Sequence, residues 1–93
     1  MSHISLDFET YSSVDIKCGA HKYVRSPDFE ILLCAYSVDG QSVDLMDLTC
    51  AGDREVFNTT FRSMLFAPDV IIHAYNAAFE ALCLARHFNL NLD

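Results

Sequence analysis

The stretch HISLDFETYS, residues 3–12, decides how this chain is read. Ile4, Leu6 and Phe8 alternate with Ser5, Asp7 and Glu9. A period of two is the mark of a β-strand with one apolar and one polar face. Asp7 and Glu9 then share a face, with Cα atoms about 6.5–7 Å apart. Carboxylates held so close repel each other unless a cation or a proton lies between them. Hard divalent ions are bound by oxygen ligands of this kind. Alternation alone also describes a sheet face open to solvent, and taken by itself it favours that simpler reading.

Outward from this stretch, residues 10–28 read as irregular and polar, closing on the turn signal Ser26-Pro27-Asp28. The run from Ile31 to Val38 reads as a strand covered on both faces, with Asp39-Gly40 as a hairpin turn. SVDLMDL, from Ser42 to Leu48, is the expected return strand. Asp53 is placed to cap a helix over 54–66, in which Phe57, Phe61, Met64 and Leu65 form one apolar face. Pro68 stops it. DVIIHAY, residues 69–75, is a short apolar strand, and Asn76 is a cap for a second helix over 77–88. The expected order is β-β-β-α-β-α: an antiparallel meander, then a crossover that gives a mixed sheet with packed helices.

Composition bounds the function. The chain has 93 residues, 52% hydrophobic and 20% charged, which suits one folded domain at most. Thirteen acidic residues against six basic ones give a net charge of −7. That balance argues against an autonomous nucleic-acid-binding module, which needs clustered Lys and Arg. A nuclease site remains compatible, because such sites are acidic and meet phosphates through metal ions. No run is long and apolar enough for a membrane span, and no secretory signal opens the chain. Cys18, Cys34, Cys50 and Cys83 form no C-x-x-C pair and read as free buried thiols of a reducing cytoplasm. Four cysteines in so short a chain also permit a disulfide framework.

Glu80, in the first turn of the second expected helix, is the third acid of interest. A strand parallel to the first would bring that turn to the C-terminal end of the opening strand, where ligand sites of open α/β sheets lie. An acid near a helix N-terminus also has a purely electrostatic reason to be there. Other candidates are weaker. Cys18 and His21 have a C-x-x-H spacing without a matching second pair for zinc. His73 and His87 read as a strand-end and a helix-surface histidine. Lys17, Lys22 and Arg25 are the sole basic cluster, read as a solvated loop or as a guide for single-stranded DNA.

DFET resembles the first motif, D-x-E, of the DEDD-type proofreading 3′–5′ exonucleases, and NAAFE resembles their second. The run LDFETYSSVDIKCGAHKY…PDFEILLCAYSVDG is similar to the N-terminal part of phage and prophage family A DNA polymerases. The resemblance implies an α/β, RNase H-like mixed sheet and hydrolysis of 3′-terminal phosphodiesters with two divalent ions, Mg²⁺ or Mn²⁺. By position, Asp7, Glu9 and Glu80 become the catalytic and metal-binding acids. Thr10, Asn76 and Phe79 become contacts for the substrate, the 3′ end of single-stranded DNA. The family usually has Asp where Glu80 stands. Its third motif, a Tyr or His followed by Asp on a later helix, is not found in these 93 residues. The resemblance thus implies an exonuclease domain truncated before its last strand and helix, impaired alone, working in the cytoplasm of a bacterial host beside the remainder of a polymerase chain. The other reading is a non-catalytic RNase H-like remnant that serves as an interaction module through an exposed edge strand.

Overall fold

The alternation of the opening stretch is realised as strand β1, Ser2–Tyr11, in a computed structural model that describes residues 2–74 and 76–90. Ile4, Leu6 and Phe8 are buried, while His3, Ser5, Asp7 and Glu9 are exposed. After β1 come a 3₁₀ turn at Ile16–Cys18 and the short helix α1, Ala20–Arg25. Strands β2, Glu30–Val38, and β3, Asp44–Asp47, follow. A helical stretch then runs through α2 (Ala51–Val56), a π turn (Phe57–Phe61) and α3 (Arg62–Leu65). Strand β4, Val70–Ala74, and helix α4, Ala77–His87, complete the described fold.

The sheet has the order β3-β2-β1-β4. β1 pairs antiparallel with β2, β2 antiparallel with β3, and β1 parallel with β4. Both expected pairings, the meander and the parallel crossover, are present, and the mixed α/β sheet is compatible with an RNase H-like fold. The hairpin turns at Asp39 and Gly40, whose φ values of 52° and 74° are both positive, as a type I′ turn requires. Gly40 meets that demand without cost, and Gln41 N–H closes the turn on Val38 O at 3.0 Å.

The core lies on one face of the sheet. Phe57, fully buried, meets Phe8 edge-on at 6.2 Å and stacks on Phe61 and Phe88, each at 5.5 Å. Tyr36 packs edge-on against Phe61 at 4.8 Å. Spacing of four residues along the helical stretch brings Phe57, Phe61 and Leu65 to one side, and all three are buried.

Four sequence expectations are corrected. The segment 10–28 is not irregular throughout: β1 runs to Tyr11 and α1 lies within it. The first long helical stretch begins at Ala51 with Cys50 at its cap position, and Asp53 lies inside its first turn. The Asp53 carboxylate accepts instead from Asp47 N–H at 2.9 Å, tying the helix to β3. β2 is covered on one face only, because Leu33, Ala35 and Ser37 are half-buried on the side away from the core. The cysteines divide: Cys34 and Cys83 are buried free thiols, but Cys18 and Cys50 are exposed free thiols. Burial pushes the Cys34 and Cys83 thiols up to about 12, with Glu80 nearby adding to the effect, so both stay protonated and inert at neutral pH. No described helix is long and apolar enough to cross a membrane.

Candidate active site

The site is built where β4 stops short of β1. The described parallel pairing runs to Leu6 opposite Ala74, and β1 continues for five residues beyond Leu6. Ser2 N–H donates to Asp69 O on the β4 side at 3.2 Å, and His3 N–H donates to Asp39 Oδ1 on the β2 side at 2.8 Å. Backbone groups of a strand alternate sides, so Phe8 N–H points past the end of β4. The first turn of α4 fills that position.

That turn is set by its own sequence. Asn76 Oδ1 accepts from Phe79 N–H at 3.4 Å, as an N-cap does, and Ala77 and Ala78 favour the helix that follows. Glu80 is thereby turned inward, and it is only 6% exposed. Its Oε2 is buried without a hydrogen-bond partner. Burial first, then the charge of Asp7, push the Glu80 carboxyl up from 4.5 to about 7, while the Phe8 amide works in the opposite direction. The stabilisation that an acid receives from a helix N-terminus does not prevail here.

Asp7 stands on the open face of the sheet, on the edge of a shallow hollow of about 250 Å³ that Ser5, Ala35, Ser37 and Val43 also line. Glu9 lies on the same exposed face, immediately before an irregularity in the β1–β2 register. The structure thus couples Asp7 to Glu80 and leaves Glu9 one strand repeat further along. Among the described residues, no three His, Cys, Asp or Glu side chains are gathered closely enough to hold a metal ion. The pair that is coupled does fit a hard cation: its donors are carboxylate oxygens, and Glu80 Oε2 lacks a partner. A proton satisfies the same oxygen when no cation is there, because burial and Asp7 disfavour the charged carboxylate.

Two of the residues expected to meet substrate, Thr10 and Phe79, are linked through Tyr23, which the sequence does not single out. Thr10 Oγ1 is hydrogen-bonded to Tyr23 Oη at 2.9 Å, and the Tyr23 ring packs against Phe79 at 5.9 Å and against Phe29 at 6.0 Å. Ser12 Oγ donates to Tyr23 O at 2.8 Å. Tyr23 therefore links the end of β1 to the first turn of α4. No periodicity in the chain signals it, because α1 offers only six residues.

His73 is a strand-end histidine as expected, but His87 differs from expectation. His87 is half-buried, edge-on to Phe57 at 5.1 Å, and bonded through Nε2 to Asn58 Oδ1 at 2.7 Å. Burial, and then Arg86, push its pKa down, so it is a neutral packing residue. His73 pairs with His3 across the β4–β1 boundary, with Nδ1 of His3 and Nε2 of His73 2.8 Å apart.

The chain is similar to the DNA polymerase of Bacillus phage SP02, with 46% identity over 93 residues. The match takes in 99% of this chain and 14% of that polymerase, so the chain spans about a seventh of its relative. It is homologous to a segment of a phage DNA polymerase. No family model matches the chain. No solved structure matches it either.

Proposed function

We propose that this chain is part of a metal-dependent 3′–5′ exonuclease domain of a phage-type DNA polymerase, contributing the first two acidic motifs of a proofreading site. One observation carries the reading: a buried, partnerless carboxylate oxygen of Glu80 lies beside the charge of Asp7, just past the described β1–β4 pairing. Two like charges brought together out of water are costly unless a cation joins them. The likeness to a segment of a phage DNA polymerase supports the same assignment.

Asp7, Glu9 and Glu80 would hold two divalent ions, Mg²⁺ or Mn²⁺. Bound ions would supply Lewis-acid stabilisation of the attacking and leaving oxygens of a phosphodiester. The protein's own part is positioning. Asn76 Oδ1 is occupied by the helix cap, so its amide N–H₂ is the group free to meet substrate. Thr10 and Phe79, fixed through Tyr23, form the seat for the terminal nucleotides. The third motif of the family is not found among residues 1–93.

The test is release of a 3′ label from single-stranded DNA with Mn²⁺ present. Slow release that Asp7→Ala abolishes supports the proposal, whereas release that persists in Asp7→Ala contradicts it. A second reading rests on the β4 edge, where Ile71 and Ile72 are each 38% exposed. Such an edge suits strand pairing with a partner chain. Association in size-exclusion chromatography, without any Mn²⁺-dependent release, would favour this interaction module instead.

A further inference from the structure

We infer that the segment Ile16–Arg25 is the entry path for single-stranded nucleic acid, with Lys17, Lys22 and Arg25 on backbone phosphates and Tyr11 as a stacking surface for a base. The inference rests on the exonuclease reading above for the direction of the strand. Its evidence is separate from the carboxylates.

Half of the chain's six basic residues fall within this segment, and no acidic residue lies between Asp15 and Asp28. In a chain of net charge −7, this is where phosphate is least repelled. All three bases are exposed. The flanking acids are each held by local bonds: Asp15 accepts from Lys17 N–H at 2.9 Å, and Asp28 accepts from Ser26 Oγ and, at 3.1 Å, from Ser13 N–H. The bonds to Asp28 hold its carboxyl below its ordinary range.

The basic segment is fixed to the site. Tyr23, on α1 between Lys22 and Arg25, is bonded to Thr10 and packed on Phe79. A strand lying along α1 would therefore be led to Thr10 at the end of β1, on the strand that carries Asp7 and Glu9. Tyr11, the residue after Thr10 and the last of β1, is 50% exposed. Cations flanking an exposed aromatic ring are the elements that bind single strands without regard to sequence.

The experiment is fluorescence anisotropy of 5′-labelled dT₁₂ with Ca²⁺ in place of Mn²⁺, at several salt concentrations. Each phosphate contact contributes about 0.7 to the slope of log affinity against log salt. The double variant Lys22→Ala/Arg25→Ala is expected to lower that slope by about 1.4 and to weaken binding more than tenfold at low salt. Arg62→Ala/Arg86→Ala removes the same charge from α3 and α4 and is expected to leave the slope unchanged. Equal losses in the two double variants overturn the inference, as does absence of binding by the wild-type chain. Calorimetry with Mn²⁺ keeps the two claims apart: Lys22→Ala/Arg25→Ala retains the wild-type response. A wild-type chain that binds dT₁₂ through α1 but takes up no Mn²⁺ would sink the exonuclease reading and leave this one standing.

Discussion

Replacing Glu80 by Gln is expected to stabilise the protein at pH 8 and to change nothing near pH 4.5. The substitution keeps shape and removes the charge. In the folded chain the Glu80 carboxyl is pushed up from 4.5 to about 7 by burial and by Asp7. A group whose pKa is raised by folding favours the fold fully below its unfolded value, and that contribution is lost as pH rises through the folded value. Wild-type stability should therefore fall between about pH 5 and pH 8 by a term that Glu80→Gln lacks. The interval from 4.5 to about 7 corresponds to about 3 kcal/mol at the limit. Asp7, the other member of the pair, is exposed, so solvent screens part of the interaction and about 1–2 kcal/mol is the expected size. Urea unfolding reads this directly: with a slope of about 1 kcal/mol per molar, the midpoint of Glu80→Gln should exceed wild type by about 1–2 M at pH 8. Equal midpoints at pH 4.5 complete the signature. A variant less stable than wild type at pH 8, or a difference independent of pH, would refute the reasoning.

Other substitutions probe the frame that holds the site. Phe57→Ala empties the centre of the core between Phe8, Phe61 and Phe88 and is expected to cost about 3–5 kcal/mol, seen as loss of cooperative unfolding in circular dichroism. Tyr23→Phe removes the bond to Thr10 Oγ1 and should cost about 1 kcal/mol, lowering Tm by roughly 4–8 °C in thermal melts. Gly40→Ala puts a Cβ at φ 74° with open space around it, so the backbone strain alone should cost about 1 kcal/mol by the same measurement. Divalent-ion affinity should rise between pH 6 and pH 8, because a cation must displace the proton that Glu80 holds near neutrality.

Much of the frame was legible in the sequence because it follows from periodicity. Alternation at Ile4, Leu6 and Phe8 fixed which way Asp7 and Glu9 face, and Asn76 marked the start of α4 correctly. The parallel β1–β4 pairing followed from the crossover. Short and irregular elements were harder to read. α1 is too brief to show a helical period, and Gly19, at φ 107°, precedes it without a side-chain cap. Asp53 has the side chain of a helix cap, whereas the helix begins at Ala51 and the Asp53 carboxylate reaches across to Asp47. Burial of Glu80 was also beyond periodicity, since it depends on where β4 ends relative to β1. That ending is what turns a helix-surface acid into one with a buried oxygen beside Asp7.

The central claim is that Asp7 and Glu80 form a cation site, and titration of Mn²⁺ by calorimetry at pH 8 tests it most directly. Saturable binding by the wild-type chain, lost in Asp7→Ala and weakened in Glu80→Gln, is the predicted result. No binding by the wild-type chain, or binding that Asp7→Ala leaves unchanged, would contradict it.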